Sequence, residues 1–171
     1  AERLIGMFAI AIWDRAEHRL SLVRDRLGIK PLYVADFGSL FLFGSELKDL
    51  KAHPGWTPEI DRKAVASYLR HNYVPAPLSI YRGVKKLAPG TILNLANGQS
   101  SRGEAFWSLD EVVAHGAANP FSGSDEEAVG TLDTLLSDAV ARRMVADVPV
   151  GAFLSGGIDS STVVALMQKA S

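Results

Sequence analysis

The 171 residues are 47% hydrophobic and 22% charged with a mean hydropathy of +0.10, a balance that fits one folded domain or parts of two. With 18 Lys and Arg against 19 Asp and Glu and no basic run, the chain has no sign of a nucleic-acid surface. No apolar run approaches the ~20 residues of a membrane span, and the amino end lacks a signal-peptide layout.

The absence of cysteine excludes disulfides, thiolate zinc sites and a cysteine nucleophile within these residues, and a cytoplasmic location is the expectation. Residue 1 is Ala, and the last residues stop inside a helical pattern, so a fragment of a longer protein is expected.

In chain order, Ile5 to Trp13 is rich in strand formers, and Arg19 to Arg24 alternates strictly, with the polar stretch Asp14 to His18 between them. Two such runs so close together predict an antiparallel hairpin. Leu32 to Ala35 and Ser39 to Phe43 predict a second around Asp36, Phe37 and Gly38. Four short strands without intervening helices argue for an antiparallel sheet. Ser45 to Lys48 opens a short helix that ends before Pro54.

Asp61 is placed to cap a helix to about His71, with Val65 and Leu69 on one face. Residues Asn72 to Pro89 hold three prolines and no clean period, which predicts an irregular connection. Thr91 to Leu95 and Arg102 to Trp107 flank Asn97-Gly98, a strong hairpin signal.

Composition then shifts. Ala114 to Ser124 is small, polar and punctuated like a linker, which sets expected divisions at 1–108, 109–124 and 125–171. Ser124 and Glu127 form a capping-box pattern. Behind it Val129, Leu132, Leu136, Ala139 and Val140 mark one face of a helix to about Met144.

The apolar run Val150, Ala152, Phe153, Leu154 predicts a buried strand of a parallel sheet, and Thr162 to Lys169 a helix with Val163, Leu166 and Met167 on one side. Between them lies Ser155-Gly-Gly-Ile-Asp-Ser-Ser161. A glycine turn that opens a helix aims backbone N–H groups and the positive helix end at one point. Two glycines remove the Cβ atoms that would hold an anion away, and Ser155, Ser160 and Ser161 add hydroxyl donors, so the stretch reads as a phosphate cradle.

A Walker A loop would need a lysine, and a dinucleotide fingerprint three spaced glycines; neither is here. A nucleophile elbow would need glycine where Phe153 stands. A plain strand-to-helix turn capped by Asp159 or Ser160 is the structural alternative.

Ser155-Gly-Gly-Ile-Asp-Ser160 resembles the pyrophosphate loop of the N-type ATP pyrophosphatases, and Val148 to Ser161 more narrowly resembles the glutamine-dependent asparagine synthetase family. Gly6 to Asp14, Arg24 to Tyr33 and Gly44 to Lys48 resemble the later part of that family's glutaminase domain.

The resemblance implies α+β then α/β architecture. The C-terminal part of an N-terminal-nucleophile hydrolase antiparallel sheet would be followed by the start of a parallel-sheet ATP pyrophosphatase domain. It implies glutamine, aspartate and ATP as substrates, Mg²⁺ as cofactor and a homodimer as one open assembly, with neither nucleic acid nor membrane as partner. The backbone around Leu154 would meet adenosine, Ser155, Gly156, Gly157, Ser160 and Ser161 would hold pyrophosphate, and Asp159 would bind ATP and Mg²⁺. The family's glutaminase cysteine would lie upstream, so no catalytic residue is expected here and the fragment itself is expected to be inactive. A β-lactam-forming relative of the same architecture and an inactive scaffold piece are the alternatives.

Arg24, Asp25 and Lys30 are expected to be structural or interdomain ion-pairing residues, and Glu46 an exposed first-turn or interface residue. His18, His53, His71 and His115 lack metal-ligand spacing, and Trp13, Trp56 and Trp107 are expected as core or boundary anchors.

Overall fold

A computed structural model describes residues 1–96, 99–100 and 102–171. The chain divides into two compact units, Ala1–His115 and Gly116–Ser171.

In the first unit the alternating runs become strands. β1 (Ala9–Asp14) and β2 (Arg19–Arg24) pair antiparallel, from Ala9 opposite Arg24 to Asp14 opposite Arg19. β3 (Tyr33–Asp36) and β4 (Phe41–Gly44) form the second hairpin. The four strands do not share one sheet. β2 continues onto β6 (Thr91–Ala96), whose far edge takes β7 (Gln99–Ser100) and β8 (Glu104–Ala105), while β3 pairs β5 (Val84–Lys86) in a separate sheet ordered β4-β3-β5. β5 lies inside the stretch expected to be irregular, since only three residues of it meet β3 and no period can show over so short a run. The Asn97-Gly98 turn lies outside the described residues; the strand pairs on either side of it are antiparallel.

Period-two alternation explains the layering. Val34 and Phe41 face the first sheet, where they pack on Leu22, Leu32, Leu87 and Leu93. Tyr33, Ala35, Leu40 and Leu42 face the other way, onto a cluster of Leu50, Trp56 and Val84. Leu50 comes from α1 (Leu47–Lys51), which opens with a capping box between Glu46 and Asp49. Trp56 is buried and stacks on Phe37 at 6.2 Å, with Tyr81 edge-on at 5.6 Å. Trp13, by contrast, is 54% exposed on the edge strand.

α2 (Arg62–His71) starts as expected, with the Asp61 carboxylate accepting the Lys63 N–H at 2.8 Å. Its buried residue is Ala64 rather than Leu69, which is 76% exposed.

The expected linker is partly helical: α3 covers Leu109–Ala118, because Leu109 to Ala118 is rich in Ala and Val and Asp110 and Glu111 favour a first turn. In the second unit α4 (Asp125–Arg143) begins on the capping box, the Glu127 N–H donating to Ser124 Oγ at 3.2 Å and the Ser124 N–H to Glu127 Oε2 at 2.8 Å. Of its expected apolar face Val140 is buried, whereas Val129 and Leu132 stay exposed. α5 (Ile158–Ala170) packs on α4, with Lys169 Nζ 3.9 Å from Asp133.

One expectation fails here. Residues 148–154 form no strand, and Val150, Phe153 and Leu154 are exposed. A parallel strand exists only against a neighbour that takes its N–H and C=O groups, and the described residues of this unit supply none.

Candidate functional site

The loop between Leu154 and α5 is built on its glycines. Gly156 has φ +81°, a left-handed conformation that a side chain would strain, and a Cβ there would meet nothing within 4 Å. Gly157, extended at φ −80° and ψ 163°, is the N-cap of α5 and offers no side chain to its amides. Neither Asp159 nor Ser160 is the cap; both lie inside the first helical turn, because the turn closes one residue earlier than the hydroxyls suggested. The first intrahelical bond runs from the Ser161 N–H to the Gly157 carbonyl at 3.1 Å. The N–H groups of Ile158, Asp159 and Ser160 therefore precede the ladder and point out of the helix end.

Two of the candidate hydroxyls come together: Ser155 Oγ lies 3.0 Å from Ser160 Oγ, and Ser160 Oγ donates to the Gly157 carbonyl at 3.1 Å. Ser161 and Asp159 are exposed beside them, and Leu154 is exposed before the turn. Thr162, by contrast, turns its hydroxyl back to the Ile158 carbonyl at 2.9 Å. Open backbone, exposed hydroxyls and an uncapped helix end suit a polyanion such as a phosphate chain. No cluster of three or more His, Cys, Asp or Glu is present among the described residues. One exposed carboxylate at Asp159 fits Mg²⁺ where phosphate oxygens and water complete the shell.

Elsewhere the singled-out charges are structural. Arg24 and Asp25 are 6% and 1% exposed. Arg24 donates to backbone carbonyls, and the Asp25 carboxylate accepts the N–H groups of Ile29 and Lys30, each at 2.9 Å. Burial lowers the pKa of Arg24, with the opposing pull of Asp25 smaller. Lys30 takes part through its backbone, and its side chain is exposed. Glu46 is exposed and pairs with Lys48 at 2.7 Å, which raises the lysine's pKa through that hydrogen bond and charge.

Comparison with known proteins agrees with this division of labour. Residues 1–107 match the family described as glutamine amidotransferase domain, and residues 131–171 match asparagine synthase. Over 166 residues the chain is 36% identical to the glutamine-hydrolyzing asparagine synthetase 3 of Bacillus subtilis, covering 96% of this chain and 26% of that protein. A putative glutamine-hydrolyzing asparagine synthetase of Mycobacterium bovis is 38% identical over 169 residues, 96% of this chain and 25% of that one. A second putative enzyme of that name, from Methanocaldococcus jannaschii, is 37% identical over 167 residues, covering 96% and 31%. The chain thus spans about a quarter to a third of the length of these relatives. With residues 1–107 in the first match, the chain belongs to the glutamine amidotransferase domain family, joined in the same polypeptide to the asparagine synthase segment at residues 131–171.

Proposed function

We propose that the chain is part of an ATP-dependent, glutamine-hydrolysing asparagine synthetase. Residues 1–108 would belong to a glutaminase of the N-terminal-nucleophile hydrolase type, 109–124 to the connection, and 125–171 to the ATP pyrophosphatase part. The observation that carries this reading is the glycine turn opening onto the uncapped α5, inside the very segment that matches asparagine synthase. The chain has no cysteine, so the proposal puts the glutaminase nucleophile outside residues 1–171. It also puts the enzyme in the cytoplasm and leaves a homodimer as an assembly to be measured by sedimentation.

In this reading glutamine yields glutamate and ammonia. The aspartate side-chain carboxylate attacks the α-phosphorus of ATP, the α–β phosphoanhydride bond breaks, and pyrophosphate leaves. Ammonia then attacks the activated carbonyl, AMP departs with the bonding pair, and a proton lost from nitrogen completes the amide. The step that needs help is the departure of pyrophosphate, where charge builds on its oxygens. The amides of Ile158, Asp159 and Ser160 and the hydroxyls of Ser155, Ser160 and Ser161 would receive that charge in fixed positions, which lowers the barrier because the dipoles need no reorganisation. Gly156 and Gly157 let the phosphates reach the backbone, the chain around Leu154 would line the adenosine, and Asp159 would bind ATP and hold Mg²⁺. Mg²⁺ would add Lewis-acid neutralisation of the leaving oxygens.

The test uses the full-length protein. Asp159→Asn should lower ATP-dependent asparagine formation by about a hundredfold while glutamine hydrolysis stays within about twofold. Calorimetric titration with ATP should show the matching loss of affinity. Equal loss of both activities would remove Asp159 from the synthetase site, and amide formation only with a carboxylate other than aspartate would reassign the acceptor.

A further inference from the structure

Both connections between the two sheets of the first unit run past one buried pair of charges. The chain leaves the first sheet at Arg24 and reaches β3 through residues 25–32; it returns from β5 to β6 through residues 87–90. Arg24 shares the strand face of Leu20 and Leu22, at the mouth of the core between the sheets. Its guanidinium donates to Gly28 O at 2.6 Å and Lys30 O at 3.0 Å on the outgoing connection, and to Leu87 O on the returning one.

Asp25 repeats the pattern with the opposite polarity. Its carboxylate accepts the N–H groups of Ile29 and Lys30, and that of Phe8 at the entrance to β1, at 3.3 Å. Its backbone carbonyl accepts Gly28 N–H at 3.0 Å and Gly90 N–H at 2.9 Å, again one from each connection. Burying two charges is unfavourable, and apolar side chains would often give as much stability. What apolar side chains cannot do is hold three chain segments in fixed directions.

We propose that Arg24 and Asp25 act as an internal fastener that makes the two sheets of the first unit open as one body rather than as two separately unfolding layers. The carbonyls need a planar fork of donors, and the amides need a carboxylate that accepts from several sides, so neither residue is exchangeable for a relative of equal charge or shape.

Native-state hydrogen exchange on the full-length protein tests this. In the unaltered protein the connection amides of Phe8, Gly28, Ile29, Lys30 and Gly90 should exchange in the same slow class as β2 and β3. Rapid exchange there would overturn the proposal, and this arm needs no variant. Asp25→Asn turns an amide group toward donors, and Arg24→Lys keeps the charge without the fork. Each should make β3–β5 exchange at least about tenfold faster than β2–β6, a split absent from the unaltered protein. Asp61→Ala, which removes the α2 cap at a distance from these bonds, should lower the denaturation midpoint without producing the split. Equal acceleration of both sheets in Asp25→Asn and Arg24→Lys would overturn the proposal and reduce the pair to ordinary stabilisation.

Discussion

Asp25 is a carboxylate in a place where it loses nearly all contact with water. Burial by itself would raise its pKa. The N–H donors of Lys30, Ile29 and Phe8, with Arg24 beside them, outweigh burial and hold the value below the ordinary carboxylate range. A folded value below the unfolded one means the ionised group contributes stability above about pH 4, and the contribution is lost as pH falls through the folded value. Asp25→Asn should therefore cost about 3 kcal/mol near neutral pH, and its denaturation curve should converge on that of the unaltered protein in acid. Denaturant titrations from about pH 7 to about pH 3 check this; a constant difference at every pH would contradict it. The sequence shows Arg24 and Asp25 next to each other but not their partners, which lie at residue 8 on one side and at 87–90 on the other. Charge and spacing carry no information about a contact across more than sixty residues, so only the structural character of the pair was legible.

Elements whose cause is local are the ones legible from the residues alone. Both hairpins, the Asp61 cap and the Ser124 box each depend on a handful of neighbouring residues, and the structure has all of them. Ser124→Ala should cost α4 about 1 kcal/mol, seen as exchange about fivefold faster at the amides of Glu127 and Ala128. Unchanged exchange there would mean the helix end is held by something other than its cap. Elements whose cause is remote were less legible. β5 is a strand because β3 is beside it, and the apolar run at 148–154 is not a strand where no neighbour is beside it. The phosphate-type loop falls between these cases: its glycines and hydroxyls were readable, but the choice of Gly157 over Asp159 or Ser160 as cap depends on where the helix closes. The roles of Leu154, Ser155, Gly156, Gly157, Asp159, Ser160 and Ser161 toward ATP rest on the proposed reading and its binding test.

At the scale of the molecule, stability is distributed unevenly. The first unit buries two leucine- and aromatic-rich clusters, whereas the second has Val140 as its one buried apolar residue among those described. Leu22, 1% exposed between the sheets, contacts the cluster to which both sheets contribute. Leu22→Ala should cost about 3 kcal/mol, lowering the denaturation midpoint of the first unit and leaving the α4–α5 pair unaffected. Differential scanning calorimetry resolves the two, and a parallel loss in α4 and α5 would show that they melt with the sheets.

The aromatic residues give this unit an optical consequence. Trp56 is enclosed behind the second sheet with Phe37 and Tyr81, while Trp13 stands in solvent on the edge of the first. An aqueous quencher such as iodide should darken Trp13 and spare Trp56, so each sheet carries its own fluorophore. Emission collected with and without quencher would then follow the two layers separately through unfolding, in real time and without isotopes.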